Sequence, residues 1–311
     1  MKAVTTEGLT KVYRPNWPGA PPFVGLSGLS LSVNPGEIYG FLGPNGAGKT
    51  TTIKILIGLI KPTGGQATVL GAPAGDVATH RRIGFLPESP YFYDYLTAEE
   101  FLGFYGRLGG LTQSELGRRI PEMLELVGLS DARTRQLRKF SKGMLQRIGL
   151  AQALIHDPEL VILDEPMSGL DPLGRKQVRD VILNLRERGK TVFFSSHILP
   201  DVEMICDRVG IVRNGRLRAE GTVDELVDPN HTHSVEVVCE GLDGERLEGI
   251  RKVAGRLIQQ GRQCLIVLPD PDSVGTILGE VVRHRGRLIS VTPQKRSLEE
   301  LFLDSAPQSR P

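Results

Sequence analysis

The stretch Gly43-Pro44-Asn45-Gly46-Ala47-Gly48-Lys49-Thr50-Thr51 decides how the rest of the chain is read. The pattern G-x-x-x-x-G-K-[ST] arises by accident in roughly one chain in a hundred of this length, so its surroundings must carry weight. Glu37-Ile38-Tyr39-Gly40-Phe41-Leu42 before it reads as a buried strand, and Thr51-Thr52-Ile53-Lys54-Ile55-Leu56-Ile57 after it as a helix. Strand, glycine loop and helix in that order turn backbone N–H groups inward around a phosphate, with the positive helix end behind them. Gly43, Gly46 and Gly48 permit the curl, Lys49 reaches the β- and γ-phosphates, and Thr50 offers a hydroxyl to Mg2+.

About 115 residues further on, Leu160-Val161-Ile162-Leu163 runs directly into Asp164-Glu165-Pro166. Four apolar residues in a row suit a parallel strand covered on both faces. Two carboxylates at its end, where open α/β sheets bind ligands, are hard to explain as structure alone. Asp164 is expected to hold the metal, and Glu165 to orient and deprotonate a water. As neighbours on a strand they are expected to point to opposite faces and so to do different jobs.

With these residues in hand the chain resembles the nucleotide-binding subunits of ATP-binding cassette (ABC) transporters over residues 2–225 or so. The resemblance implies an α/β P-loop NTPase (RecA-like) core with an antiparallel β subdomain and a helical insertion, binding ATP and Mg2+. Phe140-Ser141-Lys142-Gly143-Met144 occupies the place of the family's Leu-Ser-Gly-Gly-Gln signature. Ser141 and Gly143 are then expected to touch the γ-phosphate bound by the opposite protomer. Lys142 and Met144 depart from the pattern, but Ser141 remains a good N-cap for the apolar helix that follows. The Ser-Lys-Gly-Met form resembles the exporter branch of the family. Ser168-Gly169-Leu170-Asp171 matches the loop that passes between protomers, and His197, after Thr191-Val192-Phe193-Phe194-Ser195-Ser196, matches the switch histidine. The resemblance makes Lys49, Glu165 and His197 catalytic. It assigns Pro44, Asn45, Ala47, Thr51 and Asp171 to the ATP site along with the glycines.

Tyr13 stands where the family stacks an aromatic on adenine. The alternative is a strand-end core aromatic. The segment Arg14-Pro15-Asn16-Trp17-Pro18-Gly19-Ala20-Pro21-Pro22 beyond it reads as a proline-rich loop. Glu88 takes the position of a glutamine that joins the ATPase core to the helical insertion, and is expected near ATP and metal. Tyr91, Phe92, Tyr93 and Tyr95 follow within five positions. That cluster is either core under a loop or an exposed surface for a partner's short helix, since membrane subunits of the family dock at this cleft.

Composition excludes several classes. A net charge of +2 gives no basic arm for a nucleic acid. No apolar run approaches the 18 or so residues that cross a bilayer. Cys206, Cys239 and Cys264 are scattered singly, without a C-x-x-C pair or a signal peptide, and are expected to be reduced. His231 and His233 lie beside a Pro-Asn turn with no further ligand candidates and read as linker. The expected organisation is an ATPase domain at 1–227 with helical insertion at about 89–157, a linker at 228–233, a small C-terminal α+β domain at 234–305 and a disordered tail at 306–311. In the C-terminal part, strands near 235–238, 256–258, 264–268 and 288–291 and helices near 245–251 and 274–284 give the order β-α-β-β-α-β. Ser297-Leu298-Glu299-Glu300-Leu301-Phe302 reads as a closing helix, regulatory or dimer-supporting. The expected assembly is a homodimer or pseudo-dimer sandwiching two MgATP, bound to integral membrane permease subunits at the cytoplasmic face of the membrane and powering export. A soluble ABC ATPase acting on ribosomes or DNA is the alternative. It usually has two cassettes or long coiled-coil insertions, and this chain has one glycine loop and no sustained heptad. A regulatory module that no longer hydrolyses would lack Glu165 or His197, and both are present.

Overall fold

The structure, a computed structural model, describes residues 1–14, 21–227, 232–242, 248–251 and 254–295. The chain divides into two compact units, Met1–Val223 and Asp224–Pro311. In chain order the first unit begins with β1 (Val4–Tyr13), β2 (Phe23–Val33), β3 (Ile38–Leu42), α1 (Lys49–Leu56), β4 (Gly64–Val69), β5 (Ala72–Pro73), α2 (Val77–His80) and β6 (Ile83–Leu86). Three longer helices follow, α3 (Ala98–Leu108), α4 (Gln113–Leu126) and α5 (Lys142–Leu154). Strands and helices then alternate as β7 (Leu160–Leu163), α6 (Pro172–Glu187), β8 (Thr191–Ser196), α7 (Leu199–Ile205), β9 (Arg208–Arg213) and β10 (Arg216–Thr222). Helix α8 (Val223–Val227) starts at the unit's last residue.

The apolar runs read from the sequence are the middle of a six-stranded sheet ordered β10-β9-β3-β8-β7-β6. Five strands are parallel, and β10 is an antiparallel edge. Every residue of β3, β7 and β8 is buried, as continuous apolar strands between covered faces must be. Tyr39 stacks on Phe193 at 5.6 Å across β3 and β8. Its hydroxyl donates to Glu220 at 2.9 Å, and burial lifts its phenol well above the ordinary range. Because β3, β8 and β7 are neighbours and parallel, the residues that follow them emerge at one edge. Leu42 pairs with Ser196, and Leu163 with Phe194.

A second, antiparallel sheet, β2-β1-β4-β5, sets Tyr13 at the end of β1 opposite Phe23 at the start of β2. The helical insertion is punctuated by capping boxes. Thr97 with Glu100 starts α3, and Thr112 with Glu115 starts α4. This is the α/β architecture with an antiparallel β subdomain that the motifs imply. No helix among the described residues is long and apolar enough to cross a membrane.

The second unit runs β11 (Thr232–Glu240), α9 (Glu248–Arg251), β12 (Arg256–Gln260), β13 (Gln263–Leu268), α10 (Val274–Arg283) and β14 (Arg287–Lys295). Its sheet is ordered β12-β13-β11-β14 with every pair antiparallel. One sheet face contributes Val235, Val237, Cys239 and Ile266 to a core completed by Ile250, Ile277 and Val281 from the two helices. Cys239 and Cys264 face each other across β11 and β13 as reduced, buried thiols, and burial pushes Cys239 up to about 11.

Two local readings change. Helix α1 begins at Lys49 rather than Thr51, because Gly48 adopts a left-handed conformation (φ 109°) that lets the chain enter the helix directly after it. Strand β7 ends at Leu163, so Asp164 and Glu165 are separated by a turn rather than by strand alternation. Trp17 and its neighbours at 15–20, residues 228–231, the expected start of the short helix at 245–247, the closing helix at 297–302 and the tail at 306–311 lie outside the described residues.

Candidate functional site

The glycine loop is tied into the sheet edge by its backbone. Gly43 N–H donates to Ser196 O at 3.2 Å, and Gly215 N–H to Ala47 O at 2.9 Å. A β-carbon on Gly43 would lie 2.5 Å from Val212 O, and one on Gly48 2.7 Å from Gly25 O, so neither position accepts a larger residue. The concavity above the loop is lined by Pro44, Asn45, Gly46, Gly48, Lys49, Thr50 and Thr51, with Phe23, Gly25, Glu88 and Glu165 around them. Ala47 is buried beneath. Lys49 Nζ donates to Gly43 O at 2.5 Å and Pro44 O at 3.2 Å. The same ammonium stands 3.1 Å from Glu165 Oε1. Its geometry is that of an ion pair only, since Oε1 accepts no hydrogen bond.

Ser195, at the end of β8, holds the two carboxylate residues apart. Its hydroxyl donates to Asp164 Oδ1 at 2.6 Å, and its oxygen accepts from Glu165 N–H at 2.9 Å. Glu165 sits at φ 50°, a left-handed conformation that costs a residue with a β-carbon about 1–2 kcal/mol. The Ser195 bond, and the turn closed by Ser168 N–H on Glu165 O at 3.1 Å, hold it there. His197 Nδ1 lies 2.8 Å from Glu165 Oε2, while the ring is partly exposed. Lysine, glutamate and histidine thus form one chain of contacts between the glycine loop and the ends of β7 and β8, in which Oε1 accepts no hydrogen bond. Asp164 and Glu165 are both buried. Ionised carboxylates are tolerated there only with such partners.

Thr50, lining the concavity, and buried Asp164 offer oxygen donors alone, the set a hard cation such as Mg2+ takes. Among the described residues no group of three His, Cys, Asp or Glu could hold a metal ion. Glu88 is exposed at the rim.

Two aromatic rings stand beside the loop. Tyr13 is not among the lining residues, and its hydroxyl lies 3.2 Å from Thr51 Oγ1. Phe23, which the sequence reading passed over, lines the concavity at 59% exposure, 6.3 Å from the Tyr13 ring. Its register opposite Tyr13 was the signal available, but the proline-rich segment between them hid the pairing.

Ser141, Gly143 and Asp171 are not brought to this concavity. They line a separate one with Lys142, Gly169 and Leu170. Ser141 caps α5 by accepting from Met144 N–H at 3.3 Å, and Asp171 caps α6 by accepting from Gly174 N–H at 2.8 Å. The two concavities share no lining residue. The chain therefore presents two separate concavities.

The chain matches the model of the ABC transporter family over residues 26–168. An uncharacterized ABC transporter ATP-binding protein of Nostoc sp. is 47% identical over 310 residues, covering 97% of this chain and 89% of its own length. The bacitracin transport ATP-binding protein BcrA of Bacillus licheniformis is 45% identical over 233 residues, covering 74% of this chain and 73% of BcrA. Among solved structures, the ATP-binding cassette MJ0796, dimeric, in a post-hydrolysis state and bound to ADP and Pi, aligns with TM-score 0.64 at 25% identity, over 70% of this chain and 98% of that one.

Proposed function

Given that the chain belongs to the ATP-binding subunits of ABC transporters and hydrolyses ATP, we propose that two copies close face to face on two molecules of MgATP. The observation that carries this reading is the separation of the half-sites. The glycine-loop concavity holds Lys49 and Glu165, and the Ser141 concavity lies apart from it on the same chain. A second copy supplies to each loop what its own chain keeps elsewhere, the N-terminus of α5 with Ser141 and Gly143.

In the closed pair, Lys49 and the loop N–H groups hold the β- and γ-phosphates, with Asn45, Gly46, Gly48 and Thr51 around them. Thr50 and Asp164, with Glu88 at the rim, would hold Mg2+, which would supply charge neutralisation at the phosphate oxygens. A water attacks the γ-phosphorus, its proton passes to Glu165 Oε1, and the bond to the β-γ bridging oxygen breaks to release ADP and phosphate. His197 keeps Oε2 engaged and so fixes the carboxylate's direction. Phe23 and Tyr13 form the wall beside the base, and Asp171 anchors the loop between protomers.

The cycle of closure and release drives integral membrane subunits, with the chain attached at the cytoplasmic face. Tyr91 and Tyr95 are exposed, while Phe92 packs on Phe101 and Tyr93 on Phe104. The cluster is therefore half anchor and half open surface, suited to a short helix of such a subunit. Export rather than uptake rests on the Ser141-Lys142-Gly143-Met144 form.

The test is Glu165→Gln. It should bind ATP, lose hydrolysis by about 10²–10⁴-fold and accumulate as a dimer in ATP on gel filtration. A variant that turns over normally, or stays monomeric with its membrane subunits supplied, overturns the reading.

A further inference from the structure

The second unit carries a concavity of about 440 Å3 at one end of its sheet, a size typical of small-molecule sites. Three arginines from three separate segments line it. Arg262 comes from the turn between β12 and β13, Arg285 from the turn after α10, and Arg287 from the first residue of β14. Glu240 and Gln259 complete its polar lining.

None of the three guanidinium groups pairs with a described carboxylate. Other arginines of the chain do meet an acid, among them Arg82, Arg133, Arg179 and Arg208 of the first unit and Arg283 of the second. The pairing was available, because Arg287 stands directly opposite Glu240 in the strand register. Glu240 instead accepts from Gln263 Nε2 at 2.9 Å. The backbone of Arg285 is unusual as well. It holds a left-handed φ of 55° in a turn closed by Gly286 N–H on Val281 O at 2.8 Å, a position glycine or asparagine would fill with less strain.

We infer that this concavity binds an anionic phosphate group, whose oxygens are taken by the planar forks of Arg262, Arg285 and Arg287. The site is distinct from the ATP site and does not depend on how that site works. The phosphate belongs either to a soluble molecule or to a lipid headgroup.

Tripolyphosphate titrated calorimetrically into the full chain should bind twice. Lys49→Ala should lose one event. The triple variant R262Q/R285Q/R287Q should lose the other, its affinity falling by at least about tenfold. Arg283→Gln serves as the charge control, because Arg283 is exposed on α10 and paired with Glu280 outside the concavity. It should leave both events unchanged. In parallel, the chain is sedimented with phosphatidylglycerol and with phosphatidylcholine vesicles. Arginine-dependent capture by phosphatidylglycerol alone, relieved by tripolyphosphate, assigns the phosphate to a lipid. Tripolyphosphate binding without vesicle capture assigns it to a soluble ligand. The inference is overturned if the triple variant keeps both events, if Arg283→Gln weakens binding as much, or if neither probe binds.

Discussion

The two units use one recipe for their cores and opposite recipes for their polar groups. Each buries a sheet face or a sheet interior of Val, Ile and Leu under helices, with Phe added in the first unit and Cys in the second. Yet among the described residues every buried polar or charged side chain lies in the first unit, including Lys49, Asp164, Glu165, Ser195 and Ser196. The second unit buries apolar and cysteine side chains and keeps its arginines at the surface. Burying a charge is costly unless it is paired and hydrogen-bonded, so a cluster of buried charges at strand ends marks where chemistry demands them. A unit without such a cluster can still bind, but through its surface. The following substitutions probe that asymmetry.

The largest effect is expected at the strand ends. His197→Ala removes the contact 2.8 Å from Glu165 Oε2 and should lower kcat by about 10²–10⁴-fold, roughly 3–5 kcal/mol of barrier, with little change in ATP affinity. Steady-state turnover beside equilibrium ATP binding separates the two. Ile266→Ala is the mirror experiment in the second unit. It opens a cavity at a fully buried position and should destabilise that unit by about 2–5 kcal/mol in denaturant unfolding. ATP turnover per folded molecule should be unchanged, since no residue of the second unit is assigned to the ATP site. A fall in turnover at Ile266→Ala would erase the proposed division of labour.

Between these lies Phe23→Ala. Stacking on a base is worth about 1–3 kcal/mol, so ATP affinity should weaken by about 5–150-fold in a binding titration. Tyr13→Phe loses only the 3.2 Å contact with Thr51 and should alter affinity little. Unchanged affinity at Phe23→Ala would return the adenine wall to Tyr13 alone.

The same contrast explains what the sequence made legible. Continuous apolar runs at 160–163 and 191–194 announce central parallel strands without help from their surroundings, and the glycine loop announces its own turn. The strand and helix order of the second unit could likewise be read from apolar periodicity. Hidden were the features that exist only when distant segments meet. Nothing in Ser195-Ser196-His197 says that the first serine bridges Asp164 and Glu165, thirty or so residues earlier. Nothing in Asp164-Glu165 says that Glu165 leaves the strand in a left-handed turn, because that conformation is stabilised by Ser195 and Ser168 rather than by local preference. Arg262, Arg285 and Arg287 look like solvated charges until the order β12-β13-β11-β14 brings their turns to one end.

The smallest effect belongs to the part of the first unit farthest in character from its buried charges, the exposed start of α4. Thr112 accepts from Glu115 N–H at 3.3 Å, and Glu115 Oε2 accepts from Thr112 N–H and Oγ1, each at 2.7 Å. Thr112→Ala removes an N-cap and should lower stability by about 0.5–2 kcal/mol in thermal or urea unfolding. The hydroxyl of Thr112, and then its backbone N–H, hold the Glu115 carboxyl below the usual carboxylate range. A carboxyl lowered in the folded state stabilises above its unfolded value of about 4.3 and loses that contribution as pH falls through the folded value. The wild type should therefore lose more stability than Thr112→Ala on going from neutral pH to below pH 4 or so, and the two unfolding curves should converge in acid. Because the pair is exposed, salt should shrink the difference. Turnover at neutral pH should be untouched, as at Ile266→Ala but for a different reason, since this cap lies in the same unit as the site and contacts none of its residues.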